Sequence, residues 1–86
     1  MNYKKIIEEV SKITGKEYEM CTNIVNAYEE YCAKVAKLPF KKEVDETMVD
    51  MISGTTNYDK QGVSEILHAL IQVVRGEVKK KIPFIN

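Results

Sequence analysis

Sliding the chain by 42 positions lays it on itself without a gap, and this constrains the fold more than any other feature. Ile6-Ile7-Glu8-Glu9-Val10-Ser11 falls on Met48-Val49-Asp50-Met51-Ile52-Ser53. Thr14-Gly15 falls on Thr56-Asn57, and Ile24-Val25-Asn26-Ala27 on Ile66-Leu67-His68-Ala69. Identity is weak, but the apolar pattern is consistent. The expectation is an all-α, four-helix domain made of two pseudo-symmetric helical hairpins. Residues 1–86 form one domain, with repeat units over about 3–38 and 45–80.

The periodicity supports this reading. Ile6, Ile7, Val10 and Ile13 have helical spacing over Tyr3 to Thr14, with Asn2 as N-cap and Gly15 as a left-handed C-cap. Cys21, Ile24, Val25, Tyr28, Cys32 and Val35 form the apolar stripe of a longer helix from Lys16 or Glu17 to Lys37. Glu30 and Lys34 make an i,i+4 pair on it. Pro39 stops that helix by disfavouring helical geometry at Leu38.

A third helix is predicted from Val44 or Asp45 to about Ser53, broken by Gly54-Thr55-Thr56-Asn57, with Asn57 standing where Gly15 stood. A fourth, capped by Asp59, is predicted to run to about Lys80, with Val63, Ile66, Leu67, Leu70, Val73, Val74 and Val78 as its apolar face. Gly62 and Gly76 would each cost roughly 1 kcal/mol relative to Ala inside that helix. Close helix approach and fraying explain them equally well. The tail Lys81-Ile82-Pro83-Phe84 repeats the Leu38-Pro39-Phe40 ending of the first unit.

The short helix, Thr-Gly turn and long amphipathic helix resemble the N-terminal half of the bacterial histone-like HU/IHF family. The matching residues are Ile6, Ile7, Val10, Thr14, Gly15, Ile24, Val25 and Ala27. The second unit is similar through Val49, Ile52, Thr56, Val63, Ile66, Leu67, Ala69 and Val73. In that family the hairpins of two subunits interlock to make a dimer core, so the resemblance implies that two hairpins in one chain build such a core alone. It covers the helical portions only. The Gly-Phe-Gly segment that opens the family's β-saddle is absent, and no arm residue carries over.

The chemistry-bearing residues are sparse. The formal net charge is zero, which argues against a strong non-specific polyanion binder. Cys21 and Cys32 on one helix lie about 16 Å apart at about 1.5 Å per residue, too far for a disulfide. His68 stands alone, and the neighbouring acids Glu8-Glu9 and Glu29-Glu30 point about 100° apart within each pair, so neither pair shares an acid–base site. Gly54-Thr55-Thr56 lacks the ending of a phosphate loop. The reading is therefore no enzyme, no cofactor and no metal ligand set. No apolar run approaches the roughly 20 residues of a membrane span, so no membrane partner and a cytoplasmic location are expected.

What remains is binding. The leading expectation is a non-catalytic interaction module for a protein partner or homodimer, with Tyr18, Tyr31, Phe84 and Ile85 as candidate interface residues. The alternative is nucleic-acid binding by an armless HU-like core. Its candidate phosphate contacts are Lys37, Lys41, Lys42, Lys79, Lys80 and Lys81. With Arg75 the only arginine, such contacts would go mainly to the nucleic-acid backbone.

Overall fold

A computed structural model describes residues 3–37 and 43–76. Within them lie four helices, and no strand: α1 (Tyr3–Thr14), α2 (Tyr18–Tyr31) continued by a wider π-type turn over Cys32–Ala36, α3 (Glu46–Thr56) and α4 (Lys60–Arg75). The predicted Asn2 cap and the Leu38-Pro39 stop lie outside the described residues.

The helix ends follow from local chemistry. Asp45 Oδ1 accepts the Met48 amide at 2.8 Å, and Asp59 Oδ2 accepts the Gly62 amide at 3.1 Å. Such side-chain caps stabilise a helix by about 0.5–2 kcal/mol. α2 begins without one, because Glu17 makes no side-chain bond to the first turn. Gly15 (φ 72°), Asn57 (φ 66°) and Gly76 (φ 78°) end α1, α3 and α4 in the left-handed region, where Gly and Asn are least penalised.

The two hairpin turns are copies of one another. Ser11 Oγ donates to the Lys16 carbonyl at 2.7 Å, and Ser53 Oγ to the Tyr58 carbonyl at 2.6 Å. The Gly15 amide reaches the Ser11 carbonyl, and the Asn57 amide the Ser53 carbonyl, each at 2.8 Å. Every one of these donors and acceptors is displaced by 42 residues from its counterpart. The weak sequence repeat is thus a precise repeat of hydrogen bonding.

The hairpins interlock. α2 and α4 pack on one another, and each also packs on both α1 and α3, whereas α1 and α3 do not meet. α1 packs more extensively on α4 than on its own hairpin partner α2, and α3 likewise more on α2 than on α4. Ile24, Val25, Ile66, Leu67 and Leu70 are fully buried between them, joined by Val10, Met48 and Ile52. Each such side chain contributes about 1.5–3 kcal/mol of burial. Among the described residues no polar or charged residue is buried.

The turns also reach across. Lys16 Nζ pairs with Glu65 of α4 at 3.3 Å, and Tyr58 Oη accepts from Asn23 Nδ2 of α2 at 2.9 Å. These two pairs occupy equivalent positions, once as an ion pair and once as a hydrogen bond.

Several predicted boundaries are corrected. α3 does not break at Gly54; it continues to Thr56, where the Ser53 and Thr56 side-chain bonds close the turn. α4 does not reach Lys80 as one helix, because left-handed Gly76 ends it after Arg75. Gly62 is a close approach: a Cβ there would lie 2.8 Å from Met20 Cε. Val35, predicted on the α2 stripe, is 45% exposed. The π-type turn adds backbone per turn and rotates the stripe away from the core.

Candidate interaction surface

Four surface cavities among the described residues fall on the two seams where one hairpin meets the other. On the α2–α3 seam, a cavity of about 390 Å³ lies between Asn23 and Asn26 of α2 and Thr55 and Thr56 of α3. It adjoins a smaller one of about 120 Å³ lined by Ala27, Tyr31, Val35, Met51 and Ile52. Ala27, Glu30 and Thr55 line both, so the two form one groove. From Asn23 to Val35 it runs about 18 Å along α2, at about 1.5 Å per residue.

That groove is polar at one end and apolar at the other. Val35 and Met51 are each 45% exposed at its apolar end, while Tyr31 is 8% exposed and Ile52 is buried beneath them. Single exposed apolar side chains are ordinary, but two that line the same cavity from adjacent helices form a patch. Glu30 and Lys34 stand on its rim and pair at 3.7 Å, as their spacing predicts. This pair is solvent-exposed and worth at most about 0.5 kcal/mol.

The α1–α4 seam carries the pseudo-equivalent groove. One cavity of about 440 Å³ is lined by Ile13 and Thr14 of α1 and by Ser64, His68 and Gln72 of α4. A second, of about 420 Å³, lies between Ile6 on α1 and Val73 and Val74 on α4.

The structure distributes the candidate residues unevenly. Tyr31 lies in the α2–α3 groove, as its floor rather than as an exposed edge. Tyr18 is 45% exposed at the start of α2 and lines none of these four cavities. Lys37 is exposed in a left-handed conformation (φ 56°) where the π-type turn ends. Phe84, Ile85, Lys41, Lys42, Lys79, Lys80 and Lys81 lie outside the described residues. Val35 and Met51, the apolar lip of the groove, were assigned to helix faces by spacing alone. Nothing in the sequence marks the π-type turn that turns Val35 outward.

The remaining reactive groups are occupied structurally. Cys21 and Cys32 are free, buried thiols. Burial pushes the Cys21 thiol above its ordinary value, with a Thr14 hydrogen bond pulling weakly the other way. Burial also raises the Tyr3 phenol, reinforced by its hydrogen bond to Glu29. His68 Nδ1 lies 2.8 Å from the Ser64 carbonyl and 3.3 Å from Ser64 Oγ on an exposed face. Among the described residues no group of three or more His, Cys, Asp or Glu side chains is placed to hold a metal ion, and no helix is long and apolar enough to cross a membrane.

The electrostatics are segregated along the chain. Residues 3–37 and 43–76 carry twelve carboxylates against eight lysines and arginines, a net charge of −4. Residues 38–42 and 77–86 carry Lys41, Lys42, Lys79, Lys80 and Lys81 against Glu77 alone, a net of +4. The zero net charge of the whole chain is thus the sum of −4 over the described residues and +4 over residues 38–42 and 77–86.

The chain matches no protein-family model, no curated protein and no solved structure.

Proposed function

We propose that this chain is a non-catalytic helical interaction module that binds a protein through the groove between α2 and α3, a second copy of the chain being the simplest partner. The observation that carries this reading is that Val35 and Met51, each 45% exposed, line one cavity together with Tyr31 and Ile52. An apolar lip on a polar-rimmed groove favours burial against another protein surface. The net charge of −4 over the described residues disfavours phosphate contact by the helices themselves.

The test is sedimentation of the full chain across a wide concentration range, beside the Val35→Asp and Met51→Asp variants. Association that either variant weakens supports the reading. A chain that stays monomeric at the highest concentration would remove the self-association form.

A second reading, nucleic-acid binding by an armless HU-like core, is favoured by one observation. The two hairpin turns repeat bond for bond at 42 residues, and the hairpins interlock as that resemblance implies. The five lysines of 38–42 and 77–86, with Lys37, would supply the phosphate contacts. Fluorescence anisotropy with labelled duplex DNA tests it. Binding that falls steeply with salt, by about 0.9 log units in affinity per log unit of salt for each phosphate neutralised, supports it. No binding at low salt removes it.

A further inference from the structure

The turn that continues α2 is built in a register the rest of the helix does not use. Tyr28, Tyr31 and Cys32 are buried to 2%, 8% and 3% exposure, at the i, i+3 and i+4 positions of one helix face. In an uninterrupted α-helix Val35, at i+7, completes that face. Instead the Lys37 amide bonds to the Cys32 carbonyl five residues back, the turn widens, and Val35 is 45% exposed. Ala36, one residue on, packs against the core.

The wide turn ends on a residue poorly suited to it. Lys37 is left-handed (φ 56°), whereas α1, α3 and α4 stop on Gly15, Asn57 and Gly76. A lysine Cβ is penalised in that region, where Gly is free and Asn tolerated. The turn is also an addition to the 42-residue repeat, because α4 already stops at Gly76, the counterpart of Lys34. Two costs therefore fall on the wide register, the exposure of Val35 and the conformation of Lys37. Both are relieved if the turn tightens to ordinary α-helical bonding, and the core contact of Ala36 offsets them.

We propose that Cys32–Ala36 is a two-register switch on the α2–α3 groove: the wide register presents Val35 beside Met51, and an α-helical register turns Val35 toward the core and removes the apolar lip. A partner that buries Val35 binds the wide register and draws the turn into it. The switch regulates the groove of the proposed function and rests on that reading for its effect on binding.

Lys37→Gly and Lys37→Ala test it, because both lose the charge and differ in the conformation they favour. Glycine accepts the left-handed stop and disfavours a continued helix, while alanine does the reverse. The two variants should differ by roughly 5–30-fold in the balance of registers. Nuclear magnetic resonance of the dilute, methyl-labelled full chain reads that balance. In Lys37→Ala the Val35 methyls should become less accessible to a soluble paramagnetic probe, and in Lys37→Gly they should stay exposed. Sedimentation of the same samples at high concentration should show stronger self-association for Lys37→Gly than for Lys37→Ala. Equal Val35 accessibility in the two variants would overturn the switch and leave the groove standing as an interaction surface. Val35 more accessible in Lys37→Ala would also overturn it, since the turn would then fray rather than change register. A register that responds while no variant associates would instead remove the groove as a self-association site, and with it the switch's control of binding.

Discussion

Thr14 and Thr56, 42 residues apart, perform the same task at the two hairpin turns. Each hydroxyl donates at 2.8 Å to the carbonyl four residues back, Val10 and Ile52 respectively. Each also accepts from the amide two residues on, Lys16 at 3.2 Å and Tyr58 at 3.4 Å. One side chain thus ties the helix end to the start of the next segment in both halves.

Removing either hydroxyl should cost stability by the same mechanism. Thr14→Ala and Thr56→Ala are each expected to lose about 1 kcal/mol. Because α1 and α3 do not meet, the two losses should add in the double variant. Urea denaturation of the four proteins measures this. A double variant no less stable than either single one would contradict the independence of the turns.

The helical glycines should respond unequally to a methyl group. At Gly54 a Cβ meets nothing within 4 Å, so Gly54→Ala should stabilise by about 0.4–1 kcal/mol. At Gly62 it would lie 2.8 Å from Met20 Cε and 3.1 Å from Asp59 Oδ1, so Gly62→Ala should gain less or lose stability. Paired thermal melts decide it. An equal gain at both sites would mean that Met20 moves aside without cost.

Alkaline pH should destabilise the fold through Cys21. Its folded pKa is raised above the ordinary 9.0, so the unfolded thiol ionises first. Stability is fully present below that value and is lost as pH rises through the folded pKa. Urea midpoints should therefore fall above pH 9.0, with a shallower fall in Cys21→Ala. Tyr3, raised from 10.0, adds a later loss that Tyr3→Phe should remove. A Cys21→Ala profile parallel to the parent's would exclude the thiol as the cause.

Core and groove substitutions should separate stability from association. Leu67 is fully buried, so Leu67→Ala should cost about 2–5 kcal/mol. Val35 and Met51 are each 45% exposed, and Val35→Ser and Met51→Ser should change stability by less than about 1 kcal/mol while weakening association. Melts and sedimentation on the same samples check both. Strong destabilisation by Val35→Ser would place that side chain in the core.

The sequence by itself determined the helical pattern and the paired turns. The i, i+3, i+4 spacing of Ile24, Val25 and Tyr28 requires a buried helix face, and Gly15 and Asn57 are the residues that accept a left-handed stop. Those are local constraints, and the 42-residue repeat states them twice. The tertiary structure decided the rest. Gly54 stays helical because α3 packs on α2 and because the Ser53 and Thr56 side-chain bonds set its end further on. Gly62 is explained by a methyl group contributed from α2.

The groove was illegible for the same reason. It exists only where α2 of one hairpin meets α3 of the other, and Val35 is exposed by a π-type turn that no local spacing encodes. Helix faces follow from periodicity along the chain. Which faces stay open depends on how two hairpins, distant in sequence, cover one another.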